Sequence, residues 1–147
     1  MASMPRDLER DIEWDCSQVL LRFYAAFDDW DYEAMASLFT VDGVWHRAGK
    51  SLAGREAILD ELRRRPTTQT IRHVVTNLLV DVRDADHAHA RLYLTAYRHN
   101  HGPAQHPGPA PMELPALILV VTAELMRAGQ DWRIAEQTMR REFVRDE

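Results

Sequence analysis

Several residue types and segments are scarce in this chain, and each scarcity excludes a class of protein. Among 147 residues there is a single cysteine, Cys16, which excludes an intramolecular disulfide and an all-cysteine zinc site. The longest apolar run, residues 115–123, is far shorter than the ~18–20 residues of a membrane-spanning helix. Lys50 is the only lysine and the net charge is −5, which argues against the clustered cations that bind nucleic acid.

The start of the chain also lacks the apolar segment of a secretory signal, because residues 1–7 run directly into acidic positions. We therefore expect a cytoplasmic protein that binds neither membranes nor nucleic acid. What is present is the composition of an ordinary globular domain, with 46% hydrophobic and 28% charged residues. The length predicts a single domain over residues 1–147, with residues 1–6 as a flexible tail.

Helical signals dominate the first 65 residues. Apolar side chains recur every three or four positions, which predicts helices over residues 7–29, 31–39 and 55–65. Asp31 is the predicted N-cap of the second helix, and Pro66 ends the third. Between these helices, residues 44–46 predict a short strand and residues 49–54 predict a loop.

After Pro66 the hydrophobic period changes from 3.6 to 2, as expected of strands. The predicted strands cover residues 70–82, 88–98, 117–126 and 132–143. Residues 101–115 contain five of the seven prolines and therefore predict a loop. The order α-α-β-α-β-β-β-β predicts an α+β domain in which a curved antiparallel sheet wraps around the long N-terminal helix.

The strand at residues 117–126 is apolar on both faces. Leu117, Leu119 and Val121 alternate with Ile118 and Val120, so one helix layer leaves apolar surface uncovered. We therefore predict a homodimer formed through the sheet, with a trimer as the alternative.

Two residues are candidates for acid–base chemistry. Asp28 lies on the flank of the apolar stripe of the first helix, where it is either a solvated charge or a buried, partnered acid. Strand alternation places His73 on a largely apolar face with Val75, Asn77 and Leu79, where it is either a satisfied core residue or a general base. A carboxylate partner would favour the second interpretation, because it would fix the ring tautomer and raise the basicity of the imidazole.

The remaining histidines suggest a metal site, but their spacing argues against one. His87 and His89 form one pair on a strand face, and His99 and His101 form another. Ten residues of a single strand separate His89 from His99, roughly 33 Å when extended, so the two pairs cannot share an ion. The spacing matches no zinc motif, and we predict that the protein binds no metal.

Five stretches of the chain resemble the SnoaL-like branch of the nuclear transport factor 2-like superfamily. They are FYAAFD at 23–28 leading into Trp30 and Asp31, LFTVDGVW at 38–45, GREAI at 54–58, IRHVVTN at 71–77 and DWRIAE at 131–136. The resemblance implies a cystatin-like cone of curved sheet that is closed by helices around an internal pocket. The superfamily includes scytalone dehydratase, hexachlorocyclohexane dehydrochlorinase, polyketide cyclases and the small subunit of ring-hydroxylating dioxygenases.

The resemblance also implies a catalytic pair. In the lyases of this superfamily an aspartate near the end of the first helix partners a histidine on the first long strand, and these positions match Asp28 and His73. The implied enzyme is a lyase, such as a dehydratase, or an isomerase, and it needs neither a metal nor an organic cofactor. Five further residues are candidates for contacting the ligand: Tyr24, Trp45, Asn77, Tyr97 and, from the proline-rich loop over the pocket mouth, Met112.

The implied ligand is a small hydrophobic molecule, a class that includes polycyclic compounds. The fold does not by itself require catalysis, because the dioxygenase small subunit shows that it can serve assembly alone. The alternative to an enzyme is therefore a non-catalytic ligand-binding protein or the small, beta-type subunit of a ring-hydroxylating dioxygenase.

Overall fold

The computed structural model describes residues 3–103 and 108–146, which form three helices and a single six-stranded sheet. The helices are α1 (Arg6–Asp28), α2 (Tyr32–Ser37) and α3 (Arg55–Arg63). The strands are β1 (Phe39–Arg47), β2 (Lys50–Ala53), β3 (Gln69–Asp84), β4 (His87–Asn100), β5 (Leu117–Ala128) and β6 (Asp131–Val144). The predicted α+β class, with a long N-terminal helix against a curved sheet, is confirmed.

The strands lie in the order β2-β1-β6-β5-β4-β3, so the sheet is open with β2 and β3 at its edges. Four of the five neighbouring pairs are antiparallel, as predicted. The pair of β1 and β6 is parallel, with Val44 opposite Glu136 and Trp45 opposite Gln137. The sheet is therefore mixed rather than wholly antiparallel, because the last strand returns beside the first one in the same direction.

The first hairpin corrects the prediction for residues 44–54. The short strand predicted at residues 44–46 is the end of the longer β1, and the predicted loop contains β2. Ala48 (φ 49°) and Gly49 (φ 75°) form a two-residue turn with both φ angles positive, a geometry that matches the twist of the flanking strands. Arg47 consequently pairs with Lys50 and remains within regular strand structure.

Helix α1 fills the concave side of the sheet with a continuous apolar stripe. The buried members of this stripe are Ile12, Cys16, Val19, Leu20, Phe23, Tyr24 and Phe27. Burial raises the pKa of the Cys16 thiol to about 12, with a further contribution from Asp15, so this cysteine remains an uncharged core residue. The predicted N-cap of α2 is also observed, because the Asp31 carboxylate accepts a hydrogen bond from the Ala34 amide at 3.1 Å.

Strand β3 contains a bulge that changes which side chains face the core. The register with β4 shifts between Thr76 and Leu79, and Asn77 adopts a positive φ of 54° within this shift. Beyond the bulge, Leu78 and Val80 pack against the core, whereas the alternating pattern predicted that Asn77 and Leu79 would share the face of His73. The prediction that Asn77 shares the inward face with His73 is therefore wrong, and its side chain is exposed.

The convex face of the sheet carries exposed and half-buried apolar side chains. Tyr93 and Phe143 are exposed, and the half-buried Ile118 and Val120 line the same shallow depression. The homodimer through the sheet, with a trimer as its alternative, stays a prediction that this surface supports. Light scattering at micromolar concentration should give a multiple of the 17.0 kDa chain mass. A mass equal to one chain would contradict both forms.

Among the described residues, no helix is both long enough and apolar enough to cross a membrane.

Candidate active site

Asp28 and His73 are brought into direct contact by the packing of α1 on β3. Asp28 is the last residue of α1, and His73 lies near the start of β3 on its concave face. The His73 Nδ1 atom is 2.6 Å from Asp28 Oδ1. The backbone N–H of His73 also donates to both carboxylate oxygens, at 3.2 and 3.0 Å. Both side chains are nearly buried, so solvent screens this contact only weakly.

The hydrogen bonds determine which nitrogen of His73 is available for chemistry. A carboxylate only accepts hydrogen bonds, so Nδ1 carries a proton and donates it to Asp28. In the neutral imidazole, Nε2 then holds the lone pair and can accept a proton. The side chain is oriented further by two aromatic rings, since the ring centroids of Phe27 and Tyr24 lie 4.6 and 5.5 Å from that of His73.

A cavity of about 260 Å³ lies beside His73. Much of its wall is apolar and consists of Phe27, Ile71, Ala96, Leu117, Leu119 and Met139. Within the described part of the chain, its charged side chains are the three arginines Arg47, Arg65 and Arg98, and no carboxylate lines it. The cavity can therefore hold a small hydrophobic molecule with a polar or acidic group.

The sequence patterns predicted none of the three arginines of this cavity, and Arg47 is the one that packs on Trp45. Its guanidinium carbon lies 4.5 Å from the centroid of the Trp45 ring and 5.7 Å from that of Phe27. Its Nη1 atom is buried and has no hydrogen-bond partner in the described part of the chain. Burial lowers the pKa of Arg47 from its ordinary value, and the nearby Arg65 lowers it further.

Two of the predicted ligand-contacting residues lie behind the cavity wall. Tyr24 is buried, and its hydroxyl donates a 2.9 Å hydrogen bond to Gln137 Oε1. Burial raises the pKa of Tyr24, which keeps this hydroxyl protonated. Trp45 is fully buried beneath Arg47. In this structure Tyr24 supports His73 and Trp45 supports Arg47, rather than facing the space that a ligand would occupy.

The other predicted ligand-contacting residues are not brought to the cavity beside His73. Asn77 is exposed at the bulge of β3. Tyr97 faces outward, because its neighbour Ala96 faces the cavity and strand side chains alternate. With Met112, which is 89% exposed, Tyr97 instead lines a separate depression of about 220 Å³ that also includes His99.

The predicted loop at residues 101–115 contains no helix or strand in its described parts, 101–103 and 108–115, while residues 104–107 lie outside the described residues. The histidine pairs also remain apart from His73. His87 pairs with Asp84, and His89 pairs with Glu124, whose Oε1 is 2.6 Å from its Nδ1. Within residues 3–103 and 108–146, no group of three or more potential ligand side chains is arranged to hold a metal ion.

The sequence profile of the SnoaL-like domain matches residues 9–138, which is most of the chain. The chain belongs to the SnoaL-like domain family. A comparison with curated proteins found no match for this SnoaL-like protein.

Solved structures share the fold of this SnoaL-like protein. A candidate scytalone dehydratase from Novosphingobium aromaticivorans is 16% identical, with a TM-score of 0.82 over 97% of this chain and 92% of that one. A nuclear transport factor 2-like protein with a cystatin-like fold from the same organism is 21% identical, with a TM-score of 0.73 over 91% and 82%. A type 2 hexachlorocyclohexane dehydrochlorinase is 15% identical, with a TM-score of 0.72 over 89% and 85%. At these identities the likeness shows the fold alone.

Proposed function

We propose that this SnoaL-like protein is a cofactor-free lyase, such as a dehydratase, or an isomerase. In this proposal His73 is the general base and Asp28 orients it. The observation that carries the proposal is the 2.6 Å contact between His73 Nδ1 and Asp28 Oδ1, beside a cavity lined by apolar side chains and arginines. The names of two structural neighbours, a dehydratase and a dehydrochlorinase, are in keeping with elimination chemistry.

The reaction begins when His73 Nε2 accepts a proton from a carbon next to a carbonyl group. The electron pair of the broken C–H bond forms a new C=C bond, and the carbonyl oxygen takes up the negative charge. In a dehydration, this charge returns to expel hydroxide from the next carbon, and the imidazolium gives hydroxide its proton, releasing water. In an isomerisation, the imidazolium returns the proton to a different carbon. Asp28 stabilises the imidazolium in both cases.

A proton-exchange experiment tests this proposal without knowledge of the natural substrate. The bicyclic ketones 1-indanone, 1-tetralone and 2-tetralone carry acidic protons next to the carbonyl and are small and hydrophobic. We expect the wild-type protein in D₂O to accelerate the loss of these proton signals from the NMR spectrum of at least one ketone. His73→Gln should reduce the rate at least 100-fold, because it removes the base.

His87→Gln is the matched control, since this exposed histidine also pairs with an aspartate but lies away from the cavity. It should exchange at the wild-type rate, and the melting temperature of each variant should stay within a few degrees of wild type. A wild-type protein that accelerates exchange of none of the three ketones, or a His73→Gln variant that retains full activity, would contradict a catalytic role for His73. A protein that binds the ketones without exchange would instead fit the non-catalytic alternative.

A further inference from the structure

The charge of the cavity is opposite to the charge of the chain as a whole. The protein has a net charge of −5, yet among the residues that the structure describes three arginines and no carboxylate line the cavity beside His73. The partly buried Arg47 and Arg65 and the exposed Arg98 reach it from three different parts of the chain. Arg65 disfavours the charge of Arg47 more than the nearby Glu61 carboxylate favours it, so an anion bound among the arginines would relieve an unfavourable arrangement.

Around the same region, several buried hydrogen-bond donors have no acceptor among the residues that the structure describes. Four buried side-chain polar atoms lack a partner in the described part of the chain, and all four are nitrogen donors. Three of them belong to one group, Trp45 Nε1, Arg47 Nη1 and Gln137 Nε2. Trp45 and Gln137 are opposite each other in the pairing of β1 with β6, and the Arg47 guanidinium packs on Trp45. Trp45 and Gln137 lie behind the cavity wall, so Arg47 is the member of this donor group that a ligand with acceptor oxygens can reach from the cavity.

Of the two partly buried arginines, Arg47 is the one with a buried donor that has no partner in the described part of the chain. Arg65 Nη1 already donates to the Tyr32 hydroxyl at 3.1 Å, and its guanidinium carbon lies 4.5 Å from the Phe27 ring centroid. Arg47 Nη1 makes no such bond. A guanidinium presents several N–H donors in one plane, and its usual partner is a carboxylate bound through both oxygens. Arg47 is therefore the anchor, while Arg65 contributes positive charge.

We propose that the ligand of this cavity is an organic acid whose carboxylate binds Arg47. The hydrophobic body of the acid lies against Phe27, because this ring contacts both functional groups. Its centroid is 5.7 Å from the Arg47 guanidinium carbon and 4.6 Å from the His73 ring centroid. The second part of the inference is that the carbon presented to His73 is the reacting one, and this part rests on the proposed function. Arg47 thereby determines which end of the molecule faces the base.

Isothermal titration calorimetry with 2-naphthoate and 2-naphthamide tests the inference. The two probes have nearly the same shape, but only 2-naphthoate is charged. The wild-type protein should bind 2-naphthoate at least tenfold more tightly than 2-naphthamide. Arg47→Met should reduce this preference to less than threefold and leave the affinity for 2-naphthamide unchanged. Arg47→Lys should retain part of the preference, because it keeps the charge but loses the planar donor pair.

Arg22→Met is the control for overall charge, since Arg22 is an exposed residue of α1, and it should preserve the preference of the wild type. Equal affinity of the wild type for both probes would overturn the inference, as would failure to bind 2-naphthoate or a full preference retained by Arg47→Met. If Arg47→Met does not fold by circular dichroism, the wild-type comparison and Arg47→Lys decide the matter. Because the titration involves no turnover, a failure of the proton-exchange test leaves its result unaffected.

Discussion

Replacing Asp28 with asparagine should lower the rate of proton exchange about 10³- to 10⁴-fold while leaving the protein folded. The reason lies in the two kinds of donor that meet the carboxylate. The backbone N–H of His73 needs an acceptor, so the single oxygen of asparagine will face it. The amide nitrogen of asparagine will then face His73 Nδ1 and donate to it. This arrangement moves the imidazole proton to Nε2, where no lone pair remains to accept a proton from the substrate.

The exchange rate of the bicyclic ketones and the melting temperature together check this prediction. Asp29→Asn is the matched control, because Asp29 is the next residue along the chain and is exposed. It should leave the rate unchanged. Full activity of Asp28→Asn would show that the carboxylate does not select the tautomer of His73. An unfolded variant would show that Asp28 acts chiefly through the fold, and Asp28→Glu would then test whether a displaced carboxylate restores the structure.

Replacing Phe23 with alanine should reduce the free energy of unfolding by about 3–5 kcal/mol. Phe23 is fully buried on α1, and its ring makes edge contacts with four other aromatic rings, at centroid distances of 5.0 to 6.4 Å. Those rings belong to Tyr24, Phe27, Phe39 and Trp45. The substitution removes these contacts and leaves a cavity that close-packed neighbours can fill only in part.

Urea denaturation of the wild type and of Phe23→Ala measures the difference in the free energy of unfolding directly. Trp14→Ala is the control, since Trp14 lies on the same helix and is 65% exposed, and it should change the free energy by less than about 0.5 kcal/mol. A loss below about 1 kcal/mol for Phe23→Ala would mean that the aromatic cluster repacks around the vacancy. The two variants together separate helix propensity from burial, because both place alanine in α1.

The sequence predicted α1 and the Asp28–His73 contact for different reasons. The stripe from Ile12 to Phe27 follows the helical period without interruption, so the buried face of α1 could be identified from spacing alone. The contact could not be identified in this way, because it joins residues far apart in the chain. The contact was predicted from the resemblance to the SnoaL-like family, and the 2.6 Å distance between the two side chains gives that prediction a physical basis.

The bulge of β3 and the place of Arg47 in the site escaped the sequence patterns for physical reasons. The positive φ of Asn77 interrupts the alternation of β3, and the tolerance of asparagine for this conformation is a signal that the alternating pattern alone does not reveal. Arg47 was missed because the strand was predicted to end at residue 46. Trp45 and Arg47 alternate along β1 and so point to the same side, but this becomes visible only once the hairpin to β2 is known.

The parallel pairing of β1 with β6 has a consequence for how the chain assembles during synthesis. The hairpin of β1 and β2 leaves the ribosome early, but within the sheet its other neighbour is the last strand to be made. Until β6 emerges, the edge of β1 has no permanent partner, and closing the intervening loop is entropically unfavourable and slow. Arg47 lies on this hairpin and His73 on the opposite edge strand, so the cavity between them is completed only when the C-terminal strand docks. The binding site and the sheet are therefore completed in the same late step, the docking of β6.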